Sequence, residues 1–278
     1  MIELNKIYNE DCLLTMARMA DKSVDLIVTS PPYDNLRTYG GYVFDFESTA
    51  KEIHRILRVG GVCVWIVGDA TVDGSETGTS FSQALYFKSL DLNIHDTMIW
   101  NKGGFSAVGA LAVRYAPVFE YMFVFSKGKP STFNPIKDRK SKHGGKEVGG
   151  TIRNADGSTK PVSKRMIVND LGQRYNIWDV GPERQHGEDC HPAPFPEDIA
   201  EGHILSWSGS GDVVYDPFLG SGTTAVAAIQ LNRQWLGSEI NPDYCAIAQK
   251  RIDAVLAQGN LFWPSPSARP CEDKREGV

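Results

Sequence analysis

Ser30-Pro31-Pro32-Tyr33 follows the apolar run Val24-Asp25-Leu26-Ile27-Val28, with Thr29 between them. The run is short, β-branched and stopped by prolines, so it predicts a buried strand. A turn at the carboxyl end of such a strand lies where open α/β sheets bind ligands. The two prolines fix φ and remove two backbone donors. What remains are acceptors, the Ser30 hydroxyl and the Pro31 carbonyl, with the flat ring of Tyr33 beside them. A planar base carrying an exocyclic NH₂ group fits that arrangement. By itself the tetrapeptide reads equally well as an ordinary strand-ending turn.

A second constellation changes the balance. Asp212-Val213-Val214-Tyr215-Asp216 predicts a strand, Pro217-Phe218-Leu219-Gly220-Ser221-Gly222 a Gly-rich turn, and Ala225 to Leu231 a helix that Thr223 or Thr224 can cap. Gly220 and Gly222 let the backbone approach a ligand closely. Gln234 to Ser238 is a further strand, ending in the acid Glu239. The order strand, Gly loop, helix, strand, acid is that of a nucleoside-binding Rossmann-like half, with the acid placed for ribose hydroxyls. Neither the GxGxxG dinucleotide pattern nor a GxxxxGK[ST] phosphate loop is present.

With these motifs the chain resembles the DNA amino-methyltransferases, enzymes that move a methyl group from S-adenosylmethionine to adenine N6 or cytosine N4. The resemblance covers nearly all of residues 1 to 256. Ser30-Pro31-Pro32-Tyr33 matches the family's catalytic motif. Asp216-Pro217-Phe218-Leu219-Gly220-Ser221-Gly222-Thr223 matches its cofactor loop, and Glu239 its ribose-binding acid. Asn9-Glu10-Asp11-Cys12 resembles the segment that contacts the cofactor's adenine. His191-Pro192-Ala193-Pro194-Phe195-Pro196 resembles the one that opens the helix near the methionine moiety. The catalytic motif precedes the cofactor loop, as in the permuted β-class. The resemblance implies an α/β fold: a Rossmann-like sheet, mostly parallel with an antiparallel hairpin. It also implies double-stranded DNA as partner.

Implied roles follow residue by residue. Ser30 and Pro31 would accept the target amine, Pro32 would stiffen the turn, and Tyr33 would stack on a base flipped out of the duplex. Asp216 would lie near the methionine portion of the cofactor, with Phe218, Gly220, Gly222 and Thr223 along it. Glu239 would hold the ribose, and Asp11, with Cys12, the adenine; Phe195 would complete the pocket. Ser30 is usual in N4-cytosine enzymes, whereas many adenine enzymes carry Asp or Asn there. The continuation Tyr33-Asp34-Asn35-Leu36 is common among adenine enzymes, and on it adenine N6 is favoured over cytosine N4. Two more distant readings are an RNA or protein-amide methyltransferase and a catalytically dead DNA-binding module.

Composition narrows the setting. The 278 residues suffice for one large α/β domain with an insertion. No apolar stretch approaches a membrane span, and Met1 to Asp11 carries charges where a signal peptide would be apolar. Five scattered cysteines without a CxxC pair predict reduced thiols in a cytoplasm, with no zinc site; the resemblance implies a bacterial or phage/prophage origin. Net charge is −5, yet Ser126 to Gln185 holds 13 Lys/Arg against 6 Asp/Glu. A basic segment on an acidic body is the footprint of a local nucleic-acid contact. Within it Arg139, Lys140, Lys142, His143, Lys146 and Arg153 are the candidate DNA contacts.

The elements that must position these residues can be read in outline. Ile53, Ile56 and Leu57 predict a short amphipathic helix, Gly61 to Gly68 a buried strand, and Ser80 to Leu90 a second helix. Ile94 to Trp100 and Val118 to Phe125 read as paired strands, and regular structure resumes with Glu197 to Ser206. Ser126 to Asn176 loses all periodicity and reads as a long structureless insertion. The expected organisation is one methyltransferase domain, 1–258, with 126–185 as an inserted basic recognition region and 259–278 as a tail. So short a recognition region suggests a homodimer that shares the DNA footprint. A cognate restriction nuclease would be a separate chain, and its absence would make this an orphan or prophage-borne enzyme.

Overall fold

A computed structural model describes residues 2–32, 44–104, 113–161, 165–181 and 195–258. They divide into two compact units, the larger built from residues up to 134 and from 176 on, the smaller from Pro135–Tyr175.

The larger unit is an eight-stranded sheet with helices. In chain order its elements are β1 (Lys6–Tyr8), α1 (Cys12–Ala17), β2 (Val24–Thr29), α2 (Phe46–Ile56), β3 (Leu57–Val67), α3 (Thr79–Ser89), β4 (Asn93–Asn101), β5 (Phe119–Ser126), β6 (Ile177–Asp179), α4 (Glu197–Trp207), β7 (Val213–Asp216), α5 (Thr223–Gln230), β8 (Gln234–Ser238) and α6 (Pro242–Ala257). Strand order across the sheet is β1-β8-β7-β2-β3-β5-β4-β6. From β1 to β3 every pairing is parallel. The pairs β3–β5 and β5–β4 are antiparallel, and β6 returns parallel to β4. This is the mostly parallel Rossmann-like sheet with an antiparallel hairpin that the motifs implied.

The central strands are apolar on both faces because both faces are covered. Val24, Leu26, Ile27 and Val28 of β2 are all fully buried. Burial stabilises each such side chain by about 1.5–3 kcal/mol, and the unbroken run reads as a parallel strand for that reason. Under the carboxyl end of β3 the aromatic rings of Phe44, Phe46, Trp65, Phe87 and Phe218 pack together; Trp65 also donates its Nε1–H to Gln83 Oε1 at 2.8 Å.

Boundaries differ from the sequence reading in physical ways. The helix expected around Ile53–Leu57 starts earlier, at Phe46, where the Asp45 side chain accepts from Ser48 N at 3.1 Å; Leu57 already belongs to β3. In α3 Phe87 is buried, while Phe81 and Leu85 face solvent. The stretch 126–176 is not structureless. Ser126 ends β5, and Pro135–Tyr175 folds as one long hairpin with three nested ladders: Lys137–Lys140 on Leu171–Gln173, Glu147–Val148 on Met166–Ile167, and Thr151–Arg153 on Thr159–Pro161. Its strands are solvated on both faces, so no hydrophobic alternation marks them. Ile177–Asp179, counted in the insertion, pairs with β4 as an edge strand of the sheet. Among the described residues no helix is long and apolar enough to cross a membrane. The tail 259–278 lies outside the described residues.

Candidate active site

Because β1, β8, β7, β2 and β3 run parallel, their carboxyl ends meet at one edge of the sheet. Tyr8, Ser238, Asp216 and Thr29 all end strands there, so the residues that follow them are gathered from distant parts of the chain. Glu239 N–H donates to Tyr8 O at 3.1 Å, and Asn9 Nδ2 donates to Glu239 O at 2.9 Å. The segment beginning at Asn9 is thereby fastened beside the acid at the end of β8.

The Gly-rich turn after β7 reaches the same acid. Gly220 N–H donates to Glu239 Oε2 at 2.8 Å, while Asn241 N–H donates to Oε1 at 2.8 Å. Gly220 and Gly222 both lie in the left-handed region, at φ 52° and 87°. A Cβ on Gly222 would stand 3.0 Å from Ala248 Cβ in α6, so the loop is pressed against that helix. Burial pushes the Glu239 carboxyl above its ordinary range; the amides of Asn241 and Gly220 pull it back. A half-buried carboxylate held at a fixed angle beside a glycine turn is a fitting partner for a hydroxyl pair. The turn and this acid together suit a nucleoside cofactor.

The threonines do not cap α5 in the way the sequence suggested. Gly222 is the N-cap and makes no side-chain cap, and the helix opens at Thr223. The Thr224 hydroxyl turns inward, donating to Asp216 Oδ2 at 2.7 Å and approaching Val28 O at 3.2 Å. Asp216 also accepts from Thr29 Oγ1 at 2.6 Å and from Phe218 N at 3.0 Å, both at Oδ1. Asp216 is fully buried. Burial pushes its carboxyl up to about 6, against the pull of Thr29, Thr224 and Phe218. With no exposed surface, Asp216 acts here through its hydrogen bonds. It is a knot that ties the strand before Ser30 to the start of the cofactor loop.

The proposed catalytic turn follows directly. Thr29 is buried, Ser30 is half-buried and Pro31 is buried. Pro32 is described and half-buried; Tyr33, with Asp34-Asn35-Leu36, lies outside the described residues.

Other expected cofactor residues divide. Asp11 caps α1, its Oδ1 accepting from Leu13 N at 2.7 Å, and remains half-buried at the strand-end edge. The Cys12 side chain points into the core, with Sγ 4.0 Å from Thr49 Oγ1 and its thiol pushed up to about 12 by burial. Only the Cys12 main chain remains for a ligand. Phe218 packs its ring edge-on to Phe44, centroids 5.1 Å apart. Phe195 is buried immediately before α4; His191 to Pro194 lie outside the described residues.

Sequence reasoning missed one residue entirely. Arg251 of α6 donates through Nη1 to Ser221 O at 2.8 Å, Ser221 Oγ at 2.9 Å and Thr223 Oγ1 at 3.3 Å. Its Nη2 reaches Glu197 Oε1, in the first turn of α4, at 2.5 Å. Arg251 thus clamps the outside of the glycine turn to the helix that follows Phe195. No local pattern marks it, because its partners come from two other segments, the glycine turn and α4.

In the smaller unit, Lys140, Lys142, His143, Lys146 and Arg153 are exposed along the hairpin, while Arg139 is half-buried. Asp138 is occupied by Arg174. Among the described residues no group of His, Cys, Asp or Glu is arranged to hold a metal ion.

Comparison with known proteins agrees with this geometry. The family model described as DNA methylase, of the N6/N4 methyltransferase type, matches residues 24–250. The orphan methyltransferase M.BamHII of Bacillus amyloliquefaciens is 51% identical over 241 residues, which is 84% of this chain and 90% of that protein. The type II methyltransferase M.BglII of Bacillus subtilis is 31% identical, over 93% of this chain and 72% of that protein. Among solved structures, a putative DNA modification methylase from Thermus thermophilus, complexed with S-adenosyl-L-methionine, superposes with a TM-score of 0.60 at 25% identity; 90% of this chain and 95% of that one are covered. The cytosine-N4-specific PvuII DNA methyltransferase shares the fold, with a TM-score of 0.67 at 19% identity and 92% coverage of both chains. The chain belongs to the N6/N4 DNA methylase family.

Proposed function

We propose that the protein methylates the exocyclic amine of a base flipped out of duplex DNA, with S-adenosylmethionine as donor. The observation that carries this reading is the Thr29–Asp216–Thr224 knot. It holds the Ser30-Pro31 turn and the Gly220–Gly222 turn to one buried carboxylate.

A ring amine is a poor nucleophile because its lone pair is delocalised. Ser30 Oγ and the Pro31 carbonyl accept its two N–H bonds. That favours a tetrahedral nitrogen whose lone pair faces the methyl donor. The bound cofactor supplies a methyl group activated by a positively charged sulfur. Glu239 receives the ribose hydroxyls, Asp11 the adenine amine, and Gly220, Gly222 and Thr223 let the chain pass close to the cofactor. These residues act by positioning and electrostatics, without a covalent enzyme intermediate. Tyr33 stacks on the flipped base. Lys140, Lys142, His143, Lys146 and Arg153 meet the DNA backbone. A second copy completes the footprint, and sedimentation with a duplex tests that.

Adenine N6 is the first reading for the target, on the Tyr33-Asp34-Asn35-Leu36 continuation. Cytosine N4 is the second, and Ser30 favours it, since a neutral hydroxyl stands where many adenine enzymes carry Asp or Asn. Digestion of methylated DNA to nucleosides followed by mass spectrometry decides: N4-methylcytosine without N6-methyladenine overturns the first reading and leaves the class intact. Ser30→Ala tests the turn. It removes one acceptor worth roughly 1 kcal/mol, so single-turnover methylation should slow about fivefold with DNA affinity little changed. A parental rate would make the turn structural.

A further inference from the structure

Among the six candidate DNA contacts of the hairpin unit, Arg139 is set apart. Lys140, Lys142, Lys146 and Arg153 are exposed, whereas Arg139 is half-buried and held from three sides. Its register partner across the ladder is Gly172. The missing side chain there is what admits the guanidinium: a Cβ on Gly172 would lie 2.5 Å from Arg139 Nη2 and 3.1 Å from Cζ. Arg139 Nε–H donates to Gln173 O at 3.1 Å. The guanidinium lies over the ring of Tyr175, 4.5 Å from its centroid. The neighbouring carboxylate, Asp138, is taken by Arg174. A long, normally mobile side chain is thus restrained by the Nε bond, the Tyr175 ring and the bare backbone of Gly172.

We propose that Arg139 is a specificity-determining residue that reads a guanine edge in the recognised site, while the exposed lysines grip phosphates. The inference rests on the reading of the hairpin as the DNA-contacting unit. A phosphate needs charge and tolerates any approach, which mobile lysines supply. Guanine O6 and N7 need two coplanar donors at a set angle, which a pre-fixed guanidinium supplies and an ammonium does not. Ordering before binding removes the entropy cost of fixing the side chain on the base. Gly172 and Tyr175 are the residues that do the ordering.

The experiment uses the full chain with S-adenosylmethionine. The recognised site is first found by modified-base sequencing of host DNA. Methylation rates are then measured on duplexes carrying that site, single-base variants of it, and 7-deazaguanine at each guanine. Arg139→Lys keeps the charge and loses the fork. It should lose discrimination at one guanine position by roughly tenfold or more, with an unchanged salt slope of DNA binding. It should also lose the wild-type sensitivity to 7-deazaguanine at that position. Gly172→Ala, which displaces the guanidinium while leaving the charge, should show the same defect more weakly. The proposal is overturned if Arg139→Lys keeps full discrimination, if Arg139→Ala weakens all sequences equally with a shallower salt slope, or if the site contains no guanine. If neither these variants nor loss of Lys140, Lys142 and Lys146 alters DNA binding, the hairpin itself is not the DNA contact, and both readings fall together.

Discussion

The strand-end edge of the sheet and the basic hairpin handle polar groups in opposite ways. At the edge, Asp216 is fully buried and satisfied by Thr29, Thr224 and Phe218, and Glu239 has a backbone amide on each oxygen. Along the hairpin, Lys140, Lys142, His143, Lys146 and Arg153 all lie in water. A buried carboxylate surrounded by donors resists reorganisation, since breaking any bond strands a polar group in a low dielectric. Solvated lysines cost nothing to leave unpaired and can adapt to a flexible polyanion. The first arrangement suits reacting atoms that must be held to fractions of an ångström; the second suits a partner met by diffusion. Arg139 is the exception among these candidate contacts, half-buried and held by neighbouring groups.

The sharpest way to break the comparison is to separate cofactor from DNA affinity. Gly220→Val places a branched side chain where φ is 52°, in the turn proposed to hold the cofactor. Strain and lost space should weaken S-adenosylmethionine by about 100-fold or more. Calorimetry on a variant whose circular dichroism matches wild type checks this, and parental affinity would remove the loop from the site. Replacing Lys140, Lys142 and Lys146 together by Ala should do the reverse. DNA affinity should drop by about tenfold or more at moderate salt, with the log–log salt slope flattened by roughly 2–3, while cofactor affinity stays put. An unchanged slope would leave the lysines as mere solubilising charge.

A finer test asks whether the edge is held from behind. Arg251→Ala removes the donors to Ser221 and Thr223 and the ion pair to Glu197. Cofactor affinity should fall by roughly tenfold, with the single-turnover rate at saturating cofactor preserved. Arg251→Lys should recover part of it. Equal loss in both parameters, or a fall in melting temperature alone, would assign Arg251 to general stability.

The last expected effect is a pH dependence confined to the edge. Asp216 ordinarily titrates at 3.8 and is pushed up to about 6 by burial. Between those values the unfolded chain has released the proton that the folded chain retains. Stability from this group is thus complete below 3.8, fades as pH rises, and is lost above about 6. Asp216→Asn should flatten that decline, by on the order of 1–3 kcal/mol across the window. Parallel wild-type and variant curves from denaturant titrations would assign the pH dependence elsewhere.

The sequence by itself determined the strands that carry the site and the turns that end them. β2, β7 and β8 are legible because burial on both faces selects β-branched and aromatic residues locally. Ser30 and Glu239 stand out because each directly follows a strand end, and Gly220 and Gly222 because the turn holds them in the left-handed region. The hairpin was legible only as charge: its ladders have no buried face, so nothing periodic marks them. Tertiary structure alone decided what Asp216 does. Its partner Thr29 is 187 residues away, and the pairing follows from the parallel register of β7 beside β2. The same holds for Arg251, whose partners lie in α4 and the glycine turn, and for Arg139, whose fixed direction depends on the bare backbone of Gly172 in the opposing strand. Side-chain type and spacing report local burial and backbone geometry. Which donor meets which acceptor is set by strand order and register, which bring together residues with no proximity in the chain.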